Sequence, residues 1–140
     1  MKVTVVANLT DAGTMLRKRG LEPGGRVQKL FTSEVARHSD AYVPMSPVAG
    51  VHMKNLRREE ATEVVYPGPY ACFHYFGKVM VGMFSRSAYA KSGEPKVVTD
   101  KDLEHHGSPR RGPFWDRRMW ADKKRVILNT IARAVGGRAE

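Results

Sequence analysis

The groups in this 140-residue chain that could carry a proton or hold a metal are five histidines, one cysteine and fourteen carboxylate residues. His105 and His106 are adjacent, so their side chains project in different directions and make no natural bidentate site. Neither they nor His38, His52 and His74 fall in an H-x-x-x-H or H-E-x-x-H spacing. Asp100, Asp102 and Glu104 resemble part of a calcium loop, but no glycine follows Glu104. A basic chain with Asp100, Asp102, His105 and His106 invites a nuclease reading, yet a second ligand cluster is missing. The expectation is exposed loop side chains, with no catalytic, cofactor or metal site. A lone cysteine excludes an internal disulfide and a thiolate zinc cluster. Cys72, inside an apolar run, reads as a buried structural thiol. There is no G-x-S-x-G nucleophile pattern, and Gly24-Gly25 and Gly136-Gly137 lack phosphate-loop spacing. These groups spell out no reaction, which leaves a binding or structural module.

The elements that must position them are short. Residues 1–7, rich in Val, predict a strand or extended arm. Thr10 or Asp11 caps a helix through Met15, Leu16 and Arg19, closed by Gly20, and Glu22-Pro23-Gly24-Gly25 makes a turn. Val27, Leu30, Phe31 and Val35 recur at helical spacing, so a helix runs from Arg26 to near His38-Ser39-Asp40. Beyond a proline-containing loop, residues 51–57 and 60–66 read as a hairpin turning at Arg58-Glu59 and stopped by Pro67-Gly68-Pro69. For the aromatic residues 70–76 periodicity leaves helix and strand open. Residues 79–84 and 96–99 read as strands, with long polar loops at 85–95 and 100–111. Gly112-Pro113 introduces a helix over residues 114–135, closed by Gly136-Gly137. Trp120, Ile127, Leu128, Ile131, Ala134 and Val135 share one arc of its wheel. The expected fold class is α+β: a small antiparallel β-sheet packed by a long C-terminal helix and a shorter N-terminal helix, in a single domain over residues 1–140.

With 41% apolar and 27% charged residues, the composition is that of a globular chain rather than a disordered one. No apolar run is long enough to span a bilayer, and Met1 to Asn8 is too short for a secretory leader. The expectation is therefore a soluble protein made in the cytoplasm. The net charge of +10 favours polyanionic partners. Most of the excess lies in residues 108–140, with nine basic and three acidic side chains. Arg110, Arg111, Arg117, Arg118, Lys123, Lys124 and Arg125 are the candidate DNA or partner contacts. They spread around the helix, which suits sequence-independent contact or subunit contact better than groove reading. A stand-alone basic nucleic-acid-binding module is the alternative. Most aromatic residues read as core, but Trp115 lies off the apolar arc and is a candidate interface aromatic.

Three segments together resemble a family of phage minor capsid, or head–tail joining, proteins from phages and prophages of Gram-positive bacteria. The first is Leu21-Glu22-Pro23-Gly24-Gly25-Arg26-Val27-Gln28-Lys29, with Ser39-Asp40-Ala41-Tyr42-Val43-Pro44-Met45 following. The second is Val64-Val65-Tyr66-Pro67-Gly68-Pro69-Tyr70-Ala71, continuing to Tyr75-Phe76-Gly77-Lys78-Val79-Met80-Val81-Gly82. The third is Gly112-Pro113-Phe114-Trp115-Asp116-Arg117-Arg118-Met119 with Ala121-Asp122-Lys123-Lys124. Gly50-Val51-His52-Met53-Lys54-Asn55 fits the same family, whereas Cys72 replaces a basic residue common there and residues 85–96 match only some members. The resemblance implies a non-enzymatic virion component of the tail-completion type, made in the bacterial host cytoplasm. Its implied partners are other copies of itself in a ring, head-completion or adaptor proteins, tail-tube proteins and, non-specifically, the genomic DNA. In such a ring the loops at residues 42–51 and 85–95 are the candidate assembly loops, with Tyr42, Pro44, Met45, Arg86, Tyr89 and Lys91 as candidate contacts.

Overall fold

The computed structural model describes residues 11–45, 52–68 and 70–138. The strand expected at residues 1–7, Thr10 and residues 46–51 of the proline loop lie outside them. Helix α1, Ala12–Lys18, starts where the Asp11 carboxylate accepts from the Thr14 N–H at 3.2 Å. Helix α2, Arg26–Ser39, follows the expected turn and buries Val27, Thr32, Ala36 and Ser39. Its other apolar side chains, Phe31 and Val35, pack on the core from one side.

The segment read as a first strand is instead a single helical turn, α3, Met53–Leu56. Met-Lys-Asn-Leu holds no β-branched residue, and the turn lets Met53 pack against the core. The hairpin survives in reduced form, with β1, Arg58–Glu59, pairing antiparallel with β2, Val64–Val65. Arg58 and Glu59 are therefore strand rather than turn. The reversal falls over residues 60–63, where the Glu60 N–H donates to the Glu63 carbonyl at 2.9 Å. Helix α2 holds this ribbon from beneath. The Thr32 hydroxyl donates to the Ala61 carbonyl at 3.1 Å, and Arg57 bridges Asp40 and Glu59.

Residues 71–76, open to either reading in sequence, form helix α4, Ala71–Phe76. It ends at Gly77, whose φ of 69° is left-handed. A Cβ there would also stand 2.8 Å from Pro113, so glycine is required by approach as well as by φ. Strand β3, Lys78–Gly82, pairs antiparallel with β4, Lys96–Asp102, which runs on past the expected end at Thr99. Lys78 and Asp102 form an ion pair across it at 2.6 Å. The fold is α+β, and the described residues form two separate two-stranded sheets.

Helix α5, Trp115–Ala134, lies along α2, with Phe31 edge-on to Trp120 at 6.1 Å. The core is Tyr42, Val43, Trp115, Met119 and Ile127. Trp115 is 4% exposed, set edge-on between Tyr66 at 5.4 Å and Tyr75 at 5.0 Å. It is a core residue of the folded chain rather than an exposed one. The packed face of α5 includes Trp120, Ile127 and Ile131 of the expected arc and widens to Met119 and Trp115, because the first turn of the helix meets Tyr66 and Tyr75. Tyr42 is likewise core, at 1% exposed, and its hydroxyl donates to Asp122 at 2.7 Å. Pro44 beside it is buried. Neither is available for assembly, since the exit of α2 turns inward here. Cys72 is corrected in the opposite direction: α4 turns it outward and the thiol is exposed.

Ile127 is fully buried, whereas its neighbour Val126 is 48% exposed. Ile127→Ala is expected to cost about 2–5 kcal/mol. Val126→Ala should stay within about 0.5 kcal/mol. Urea unfolding midpoints of the two variants check both.

Candidate functional site

Among the described residues, the tip joining β3 to β4 carries the two most exposed large apolar side chains. Phe84 is 78% and Tyr89 is 91% exposed, with Arg86 and Lys91 exposed beside them. The tip is nevertheless ordered by its own hydrogen bonds. The Glu94 carboxylate accepts from the backbone N–H of Phe84 at 2.9 Å, Ser85 at 2.7 Å and Lys91 at 3.1 Å. These bonds, that from Ser85 foremost, pull its pKa down to about 2. Gly82 makes room for this carboxylate, since a Cβ would come within 2.4 Å of Glu94 Oε1. The Lys96 ammonium donates to the Ala88 carbonyl at 3.2 Å, and the Gly82 N–H to the Ser87 carbonyl at 2.8 Å. A polar loop of residues 85–95 is thus present as expected, and its single interior carboxylate sets its shape. Of the candidate assembly residues, Arg86, Tyr89 and Lys91 lie together here. Met45 does not; it is half-buried, and its N–H donates to the His106 carbonyl at 3.2 Å.

The basic candidates divide. Arg110, Arg117, Arg118, Lys124 and Arg125 are exposed. Arg117 lies over the Phe114 ring at 5.3 Å, which holds its guanidinium at the start of α5. Arg111 is consumed inside the fold: its guanidinium donates to the backbone carbonyls of Asp40, at 2.8 Å, and of Val43. It ties down the exit of α2 and is not a free DNA contact. Lys123 is half-buried on the face of α5 turned to α2, close enough to His38 to disfavour its protonation. It also leaves the set.

The histidine and carboxylate residues do not converge. His106 is exposed as expected, but His105 is half-buried, its ring edge-on to His74 at 5.8 Å and its Nε2 3.2 Å from the His74 carbonyl. Asp100 and Asp102 sit on β4 rather than in a loop, Asp102 paired with Lys78. Among the described residues no group of three or more His, Cys, Asp or Glu is placed to hold a metal ion. Among them, too, no helix is long and apolar enough to cross a membrane.

A cleft that the residue pattern did not announce opens between α2, β2, α4 and α5, with a volume of about 340 Å³. Its walls include Phe31, Val35, Val64, Tyr66, Tyr75 and Trp115. Among the described residues Glu63 and Asp116 are the charged ones in its lining. Burial pushes the Tyr66 phenol up to about 12, which keeps it neutral there. The walls come from segments far apart in the chain, so only the assembled fold could reveal the cleft. Against family models, curated proteins and solved structures, the chain has no match.

Glu94→Ala should free the Phe84, Ser85 and Lys91 amides to exchange with solvent while leaving those of α2 and α5 protected, as measured by hydrogen exchange. Because the folded pKa of Glu94 is depressed, the ordering it supplies is complete above about 4.5 and fades as pH falls towards about 2.

His74 adds a second contribution that acid removes, at higher pH. Burial, then the nearby His105 and His106, lowers its pKa below 6.5 in the folded chain. The unfolded chain then binds more protons, so this contribution to stability is whole at neutral pH and erodes as pH falls through about 6.5. The urea midpoint should drop between pH 7.5 and 5.5, and His74→Asn should shrink that drop.

Proposed function

We propose that this chain is a structural component of a tailed phage or prophage particle, a minor capsid protein that assembles as a ring at the neck. There it joins the portal–adaptor stack to the tail tube. The observation that carries this reading is where the three resembling segments meet. The first supplies Tyr42 and Val43, the second Tyr66 and Tyr75, the third Trp115 and Met119, and all six belong to or pack on one core cluster. Segments far apart in sequence that share one core must be kept together, which supports reading the three as parts of one pattern. The exposed, internally ordered β3–β4 tip supports assembly as the activity, because a solvated monomer gains nothing from presenting Phe84 and Tyr89 to water.

Genomic DNA passes through a neck, and Arg110, Arg117, Arg118, Lys124 and Arg125 supply exposed charge for sequence-blind, salt-dependent backbone contact. The same residues support the rival reading, a stand-alone nucleic-acid-binding module. Nanomolar duplex binding by free monomer at physiological salt favours that rival; weak, non-specific binding favours the neck.

Replacing residues 87–93 with an Asn-Gly turn shortens the tip without touching the core. In the phage that carries the gene, the variant should leave DNA-filled heads and finished tails unjoined, counted by electron microscopy. The purified variant should keep the thermal unfolding of the parent. Joined particles at the normal yield refute the proposal.

A further inference from the structure

We infer that the β3–β4 tip of one copy seats in the α2–β2–α4–α5 cleft of the next, and that this contact is the subunit interface of the ring; the inference rests on the neck reading above. The two surfaces are made from non-overlapping residues of one chain, and they are complementary in charge. The tip presents Tyr89 and Phe84 to solvent. The cleft is concave and apolar, and its volume of about 340 Å³ is at the low end of the roughly 300–1,000 Å³ of small-ligand pockets. It suits one aromatic side chain better than an extended segment.

Charge selects the occupant. In a chain of net charge +10, the charged residues described in the cleft lining are both acidic, Glu63 and Asp116, with Arg57 and Arg117 acting on the wall residues Tyr66 and Tyr75 from outside that lining. The tip brings Arg86 and Lys91. Its one carboxylate, Glu94, is turned inward onto three backbone N–H groups and is spent there. The tip therefore presents two cations and two aromatic rings, the pairing that an acidic-rimmed aromatic cleft accepts. A second copy of this chain supplies it. Because tip and cleft are different patches, the contact is head-to-tail, which propagates into a closed ring or an open filament.

The test uses the full chain in a Cys72→Ser background, which removes the exposed native thiol. Thr62→Cys marks the cleft rim and Ala88→Cys marks the tip; both positions are exposed. A short bismaleimide should link the two marked proteins to each other in preference to like pairs, and should build ladders when both cysteines are in one chain. Without the marker cysteines, Tyr89→Ala should weaken self-association by at least about tenfold in sedimentation equilibrium. Arg86→Glu/Lys91→Glu alone and Glu63→Lys alone should each stay dissociated. Mixing the two should restore assembly, because each acidic tip then meets a basic cleft and each basic tip an acidic one. A parent chain that stays monomeric at millimolar concentration, self-association unchanged in Tyr89→Ala, or a mixture no better than its components overturns the inference. The neck reading is judged separately, by whether particles join.

Discussion

The fold depends on how the chain passes residues 112–115 between the exits of two helices. The Gly112 N–H donates to the Tyr42 carbonyl at 3.1 Å, just past α2, and the Phe114 N–H to the Tyr75 carbonyl at 2.9 Å, inside α4. Trp115 then enters the core between Tyr66 and Tyr75. These bonds fix the first turn of α5 relative to everything before it, and the helix has only to continue along α2. Phe114 is held at φ 49°, which a side chain of that size rarely adopts. The strain is tolerated because its N–H and its ring are both engaged, the ring by Tyr75 at 5.3 Å and Phe76 at 6.1 Å. Gly77 completes the arrangement by letting Pro113 approach.

That passage also sorts the charged residues. Arg111, one residue upstream, is drawn onto the free carbonyls at the end of α2. This satisfies groups that a helix C-terminus leaves open. Asp122, on the face of α5 beside Met119, is placed to accept the Tyr42 hydroxyl, and burial together with that bond raises the Tyr42 pKa. Side chains that look like surface charge in a linear reading become struts because of where the chain is pinned. The β3–β4 ribbon packs on α4 and lies outside this arrangement. It is free to carry exposed apolar residues without disturbing the core.

Much of this was legible in the sequence where the physics is local. The α2 period, the Asp11 cap, the glycine stops and the span of α5 follow from spacing and from backbone preferences that need no tertiary partner. What misled was tertiary. Trp115 looked peripheral because a wheel drawn for one helix weights its longest apolar run, at Ile127 to Val135, and says nothing of α4; Tyr42 looked peripheral because it opens a proline-containing loop. Residues 51–57 looked like a strand because alternation over a few residues is cheap to satisfy, and packing of Met53 chose a helical turn instead. Cys72 looked buried because its neighbours are apolar, yet in a helix of six residues one face must point outward.

The tip shows the same limit in a form that bears on function. Its length and exposure could be read from the residues, but its stiffness could not, since Glu94 is one carboxylate among fourteen until its partners are known. Stiffness matters for what such a loop can do. Ordering a flexible loop on contact costs conformational entropy for every backbone residue fixed. That cost works against what a buried aromatic ring returns. Glu94 moves part of it to folding rather than contact, by accepting from three backbone amides. A small, cationic, aromatic tip can then bind through few residues, which is the condition for a subunit contact that forms after each chain has folded by itself.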